Sequence, residues 1–379
     1  MWWIALKMLV GDRAKYVMLV GALTFSALLM TQQASVFLGL MRWTTGILRN
    51  IEVPIWVVDR NVEQVNDLKP MRKTDLELVR SVEGVAWAVP FYQSIQQARL
   101  QDGSFKSIFL LGLDSATLVG APAVMDVGRV EDLWQDKAVI LDRIGAEKLT
   151  GGRPELLQIG DSFEINDNEA RVVGIADVER SFFGYPFVYT TFDRAVQMAP
   201  KTRRNLGIVM VQPNEGMSAD ELATKITRET GLRAFTENDF FWQTIWWYVY
   251  NTGIPISFGT TIILGFIVGI AVSGQTFYLF ILDNIPYLGA LKAMGASENL
   301  LSGLLLLQAF TVGGIGYGIG VGLASLFGRA AMKVGQPPFY MSAEVLIGSF
   351  IAIMMICMLS ALIGIHKMSK MEPAEVFRG

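Results

Sequence analysis

VLIGSFIAIMMICMLSALIGI, residues 345–365, holds no Asp, Glu, Lys or Arg. About 20 helical residues cross the hydrocarbon core of a bilayer, and a backbone in lipid must satisfy its own hydrogen bonds. The run is therefore expected to be a membrane-spanning helix. Toward the N-terminus, Asn299–Gly328, the long charge-free stretch Phe240–Leu282 and Tyr16–Met41 read the same way. The expected spans are 16–41, about 254–282, about 300–328 and about 345–365, a one-plus-three layout. The first run is too long for the apolar part of a secretion signal and no small-residue cleavage site follows it, so it reads as a retained anchor.

Between the first span and the other three lie about 200 residues that carry most of the charge. Charged residues are 18% and apolar residues 52% of the chain, against roughly 25% charged in a soluble domain. This segment, 42–240, alternates strand and helix patterns. Ile55-Trp56-Val57-Val58 reads as a buried strand, and Thr74–Val82 as a helix with Thr74 and Glu77 forming a capping box. Val85–Val89 is expected to be a strand ended by Pro90. Gln97–Leu111 reads as a hairpin turning at Asp102-Gly103 in a type I′ turn. Ala138–Leu141, Ser162–Ile165, Ala170–Ile175 and Ile208–Val211 read as further strands, and Ser218–Thr230 as a helix capped by Ser218 with Glu221. The expected fold class is an α-helical membrane protein with four transmembrane helices plus an α+β extracytoplasmic domain.

Lys and Arg placement sets orientation. Lys7, Arg13 and Lys15 precede the first span, Lys292 lies between the second and third, and Lys367, Lys370 and Arg378 follow the fourth. These segments share one side, which the rule makes the cytoplasm. Arg329 and Lys333, read as a loop on the opposite face, run against it. Phe240-Phe241-Trp242 through Trp246-Trp247-Tyr248 and Tyr250 reads as an interfacial aromatic collar, with Pro255 marking a bend into the second span.

Several functions are excluded. There is no phosphate-binding loop of the GxxxxGK[ST] form, and His366 is the only histidine, so a single chain holds neither a histidine metal cluster nor a Ser-His-Asp triad. Asp161, Glu164, Asp167 and Glu169 read as a solvated face. The net charge of -3 and the lack of a basic patch exclude a nucleic-acid partner. Cys357 stands alone in an apolar run and reads as buried and inert. No Asp, Glu, Lys or Arg lies inside a span, which argues against an ion-coupled carrier. Gly314, Gly316, Gly318, Gly320 and Gly322 in the third span are expected to serve close helix packing or a dimer contact.

The link between the second and third spans runs Asp283-Asn284-Ile285-Pro286-Tyr287-Leu288-Gly289-Ala290-Leu291-Lys292-Ala293-Met294-Gly295-Ala296-Ser297. The tail holds Glu372-Pro373-Ala374-Glu375-Val376-Phe377-Arg378. Both resemble the ends of the FtsX-like permease domain of MacB-type ABC transporters, whose link has the form E-I-G-x-L-[KR]-A-[LM]-G-A and whose tail has the form P-[AL]-E-[AV]-L-R. The link, with Pro286, is most similar to DevC-type permeases. Ala5-Leu6-Lys7-Met8-Leu9 and Arg13 resemble the family's amphipathic pre-helix, expected over 1–15. Tyr287 stands where the family often has Glu.

The resemblance implies a permease domain over 241–379 and a MacB-like periplasmic domain with a ferredoxin-like porter part and a sabre-like insert at about 96–204. It implies a coupling helix, 284–298, that docks a cytoplasmic ABC ATPase through Pro286, Tyr287, Leu288, Gly289, Leu291, Lys292, Met294 and Gly295. From the residues alone, Leu288, Leu291 and Met294 recur at helical spacing, a stripe suited to a partner's groove. The resemblance further implies a HlyD-type adaptor, a second permease copy and a bacterial inner-membrane location. The chain would be a non-catalytic subunit without a cofactor of its own, ATP and magnesium being bound by the ATPase. Efflux driven by mechanotransmission is the function implied first. An FtsX-type regulator of wall hydrolases and a LolC/LolE-like lipoprotein-release subunit are the alternatives.

Overall fold

The computed structural model describes residues 7–9, 11–200, 206–334 and 337–369. The tail motif at 372–378, and residues 1–6 of the pre-helix, lie outside them. The chain divides into two compact units, Met1–Leu40 with Gly253–Gly379, and Met41–Thr252. Eight helices carry the argument. They are α1 (Arg13–Thr44), α2 (Lys73–Arg80), α3 (Ala219–Thr230), α4 (Glu237–Asn251), α5 (Ile254–Asp283), α6 (Ile285–Ala293), α7 (Glu298–Val334) and α8 (Ala343–Ser369). Ten strands lie between α1 and α4: β1 (Ile55–Val58), β2 (Val85–Arg99), β3 (Phe105–Leu113), β4 (Met125–Val127), β5 (Ala138–Asp142), β6 (Ser162–Ile165), β7 (Asn168–Ala176), β8 (Phe187–Thr191), β9 (Ile208–Pro213) and β10 (Arg233–Thr236).

In the membrane unit, α1, α5, α7 and α8 are long and apolar enough to cross a bilayer. Their shared core includes Leu23, Ala27, Phe277, Leu305, Ile353 and Ile356. Lipid is as apolar as these side chains, so close packing and polar contacts hold such helices together. The Ser273 and Ser360 hydroxyls meet at 2.7 Å between α5 and α8. Helix α7 continues to Val334, so Arg329 and Lys333 belong to its last turns rather than to a loop.

The second unit combines two strand systems. Strands β10, β1, β9 and β2 form an antiparallel sheet in that order. With α2 between β1 and β2, and α3 between β9 and β10, this is the ferredoxin-like β-α-β-β-α-β arrangement. Helices α2 and α3 cover one face, where Val79, Leu222 and Ile226 meet Ile55, Val57 and Val209. Trp56, Val58 and Met210 pack into a second core on the other face. Burial on both faces is why β1 reads as an unbroken apolar run rather than an alternating one.

The remaining strands close on themselves. Strand β2 pairs with β3, β3 with β8, β8 with β5, β5 with β7, β7 with β6, and β6 again with β2. The ring is a six-stranded barrel, which leaves none of its edges open. Ala98, Ile108, Leu110, Val139, Phe163 and Val172 are among the residues buried in the core it shares. Strand β2 belongs to both systems: Val85–Phe91 pairs with β9 and Tyr92–Arg99 with β3. It therefore does not stop before Pro90. Proline is tolerated where its missing N–H faces no partner strand, and β3 joins only from Tyr92.

Two further local readings change. The N-terminus of α2 is set by Arg72, whose backbone N–H donates to the Asp75 carboxylate at 2.8 Å, so Thr74 lies inside the helix. At α3 the Ser218 hydroxyl accepts from the Glu221 N–H at 3.2 Å, as a capping box requires. The β2–β3 turn is not type I′. Gly103 alone has positive φ, its N–H donates to the Leu100 carbonyl, and the Leu100 N–H donates to the Ser104 carbonyl. That is a three-residue loop with glycine at the left-handed position. The two successive positive φ angles of a type I′ turn occur instead at Asn166 (45°) and Asp167 (62°), between β6 and β7.

Candidate functional site

The link between α5 and α7 is built as a rigid bracket. Asn284 ends α5, its Nδ2–H donating to the Phe280 carbonyl at 2.8 Å. Pro286 falls in the first turn of α6, where its missing N–H costs nothing and its fixed φ suits the helix. At the other end, the N–H of Ala296 donates to the Leu291 carbonyl and that of Gly295 to the Lys292 carbonyl, both at 3.0 Å. With Gly295 at φ +95° this is a Schellman stop, which explains why glycine occupies the position. Lys292 pairs with Glu298 at 3.0 Å, joining α6 to the start of α7. Asp283 pairs with Lys15, joining the end of α5 to the start of α1.

The three-residue stripe expected on this helix is divided. Leu288 is 2% exposed and belongs to the core of the membrane unit, with Leu291 packed against it, so these two hold the helix in place. Gly289 is buried beside them. Tyr287 is 65% and Met294 76% exposed, and Pro286 and Ala290 are exposed too. Tyr287, Ala290 and Met294 stand at i, i+3 and i+7, one face of a helix. Spacing alone does not tell which of two adjacent faces a helix turns inward, and Tyr287 and Ala290 escaped the stripe for that reason.

The glycines of α7 are likewise sorted by face. A Cβ at Gly316 or Gly320 would lie 2.9 Å from the Leu23 Cβ or 2.6 Å from the Ala27 Cβ, so these two let α1 approach closely. A Cβ at Gly314, Gly318 or Gly322 meets nothing within 4 Å. Gly313 performs a packing task toward α8, where a Cβ would lie 2.5 Å from Cys357 Sγ.

Among the described residues no group of His, Cys, Asp or Glu is arranged to hold a metal ion. Three carboxylates of the acidic patch sit in exposed ion pairs: Glu164 with Arg99, Glu169 with Lys137 and Asp161 with Arg153.

Residues 33–229 match the MacB-like periplasmic core domain and residues 256–373 match the FtsX-like permease C-terminal domain. The chain belongs to the MacB/FtsX-like permease family. Membership in this family implies an ABC ATPase partner, and its membrane subunits are typically non-catalytic. Among solved structures, the chain is similar to the periplasmic region of MacB from Actinobacillus actinomycetemcomitans, at 15% identity and a TM-score of 0.38, over 54% of this chain and 96% of that one. It is also similar to the extracellular domain of the ABC-type transporter YknZ from Gram-positive bacteria, at 16% identity and a TM-score of 0.35, over 48% of this chain and 98% of that one. The permease match runs from α5 to the last residues of the chain and so contains the link, while the periplasmic match contains β1 to β9 and stops before β10.

Proposed function

We propose that this MacB/FtsX-like permease is the membrane subunit of an ABC-type efflux transporter. A separate cytoplasmic ATPase binds ATP and magnesium and docks on α6. Its closure moves the spans, and the spans transmit that movement to the outer domain. A helix can act as such a lever only if it is fixed to its own spans and still offers a surface to a partner. The observation that carries the reading is that α6 does both: Leu288 and the Schellman stop hold it, while Tyr287, Ala290 and Met294 face outward. In this reading the protein works as a homodimer in a bacterial inner membrane, with its termini cytoplasmic and the strand-rich unit in the periplasm, where a HlyD-type adaptor meets it. The outward glycines Gly314, Gly318 and Gly322 suit a contact with the second copy.

The test is ATP hydrolysis and cargo movement by the complex reconstituted in vesicles. Met294→Asp and Tyr287→Ala are expected to lower permease-stimulated hydrolysis while leaving the thermal transition of the isolated chain in place. Wild-type stimulation in both variants would remove α6 from the interface. A coupled complex that moves no cargo but activates wall hydrolases would shift the reading to a signal transducer of the division type.

A further inference from the structure

Helix α4 carries two opposed stripes. Phe240, Thr244 and Tyr248 are buried and fasten it to its own unit. Phe240 stacks on Phe235 at 4.7 Å, the Thr244 hydroxyl accepts from the Val65 N–H at 3.2 Å, and Tyr248 lies 4.7 Å from Phe182. Phe240 and Tyr248 are thus core residues rather than part of a collar. The opposite stripe remains outside: Trp242, Trp246 and Tyr250, at i, i+4 and i+8, are 48%, 50% and 77% exposed. Trp246 and Tyr250 stack at 5.5 Å. Three large aromatic side chains left in one exposed row mark an interaction surface.

Beside that row opens a cavity of about 390 Å³, lined by Trp246, Trp247, Tyr250 and two charges of opposite sign, Glu63 and Arg233. The Glu63 carboxylate accepts from the Trp247 indole N–H at 2.7 Å. Arg233 lies over the Phe235 ring at 4.5 Å and donates to the Val62 carbonyl at 3.4 Å. An ionised carboxylate offers about four acceptor sites and a guanidinium five donors, so both groups keep capacity for a ligand.

Covalent connectivity keeps the Tyr250 end of this surface close to the start of α5. Helix α5 has 30 residues, a length of about 45 Å, which matches a whole bilayer with its headgroups. Its first turn therefore stands at headgroup level. Tyr250 precedes Ile254 by four residues, a separation of at most about 14 Å along the chain.

We propose that Trp242, Trp246 and Tyr250, with Glu63 and Arg233, form a docking surface for phosphatidylethanolamine headgroups in the leaflet where α5 begins. The ammonium group donates to Glu63 and rests against the faces of Trp246 and Tyr250, and the phosphate takes Arg233. An anionic lipid would satisfy Arg233 but bring negative charge to Glu63.

The test uses the full chain in phosphatidylcholine nanodiscs doped, at equal mole fractions, with phosphatidylethanolamine or phosphatidylglycerol brominated near the headgroup end of the acyl chains. Quenching at Trp246 is isolated as the difference from Trp246→Phe. Quenching by the ethanolamine lipid is expected to exceed that by the glycerol lipid by about threefold, a modest difference in affinity. Glu63→Gln and Arg233→Gln should each reduce that preference while quenching persists. Equal quenching by both lipids, quenching by neither, or a preference that survives both substitutions overturns the proposal.

Discussion

Asn50 and Glu179 exchange two hydrogen bonds: the Asn50 Nδ2–H donates to the Glu179 carbonyl at 2.9 Å, and the Glu179 N–H donates to the Asn50 Oδ1 at 2.8 Å. The loop between β7 and β8 is thereby locked to the segment that follows α1. Arg42 adds an ion pair with the Glu179 carboxylate, and the Arg180 guanidinium lies 5.8 Å from the Trp43 ring centre. Gly46 is required by the same contact, because a Cβ there would sit 2.3 Å from the Arg180 carbonyl oxygen. One amide side chain here satisfies both backbone groups of a loop residue far away in sequence.

Asn50→Ala leaves that N–H and carbonyl without partners in a half-buried site. The expected loss is about 1–3 kcal/mol, read as a lowered thermal transition of the purified chain. Gly46→Val should cost more, since backbone rather than a flexible side chain stands in the way. A transition unchanged in both variants would show that the clamp contributes nothing to stability.

Leu288 and Met294 separate holding from docking on α6. Leu288→Ala removes a side chain only 2% exposed and is expected to destabilise the chain by about 2–5 kcal/mol. Met294→Ala, at 76% exposure, should leave the unfolding midpoint within experimental error. Equal effects in a detergent-melting experiment would contradict the division of the helix into two faces.

Gly320→Val should prevent α1 from seating on α7, giving a protein that unfolds at lower temperature or is recovered in low yield. Gly318→Val, at a position where a Cβ meets nothing within 4 Å, should fold normally, and any loss should appear in self-association. Analytical ultracentrifugation beside thermal melting distinguishes the two. A stability loss at Gly318 equal to that at Gly320 would place both on one packed face.

Asp142 caps the helix Arg143–Lys148 by accepting the Gly145 N–H at 2.6 Å. Burial raises its pKa from the ordinary 3.8 to about 7, against the opposing pull of the N–H groups of Gly145 and Phe187 and the more distant Arg180 and Lys148. A carboxyl that holds its proton more tightly folded than unfolded makes stability fall as pH rises from about 4 to about 7. Asp142→Asn keeps an acceptor for Gly145 and removes the titration, so its melting temperature should depend less on pH between about 5 and 7 than that of wild type. Parallel profiles for the two proteins would contradict this.

Much of the architecture is legible in the sequence because its signals are local. A charge-free run such as 345–365 has one stable form in lipid whatever surrounds it, and the apolar run Ile55–Val58 announces a strand covered on both faces. A cap that acts within a few residues and has one acid at the right spacing, such as Ser218 with Glu221, is legible too. Where several acids lie nearby the signal is ambiguous: Asp75 reaches the backbone of Arg72, and the cap expected at Thr74 falls inside the helix instead.

The apolar content and period of the chain by themselves determined four membrane helices and a strand-rich unit held between the first and second, since lipid and the backbone's need for hydrogen bonds permit little else; the helix in the link was implied only by the family resemblance. Tertiary structure alone decided that β2 bends from one sheet into a closed barrel, that Leu288 turns inward while Tyr287 and Met294 turn outward, and which glycines of α7 touch α1. Those outcomes depend on partners distant in sequence. A residue's hydrophobicity states that it will be buried, but only the assembled neighbours fix against what.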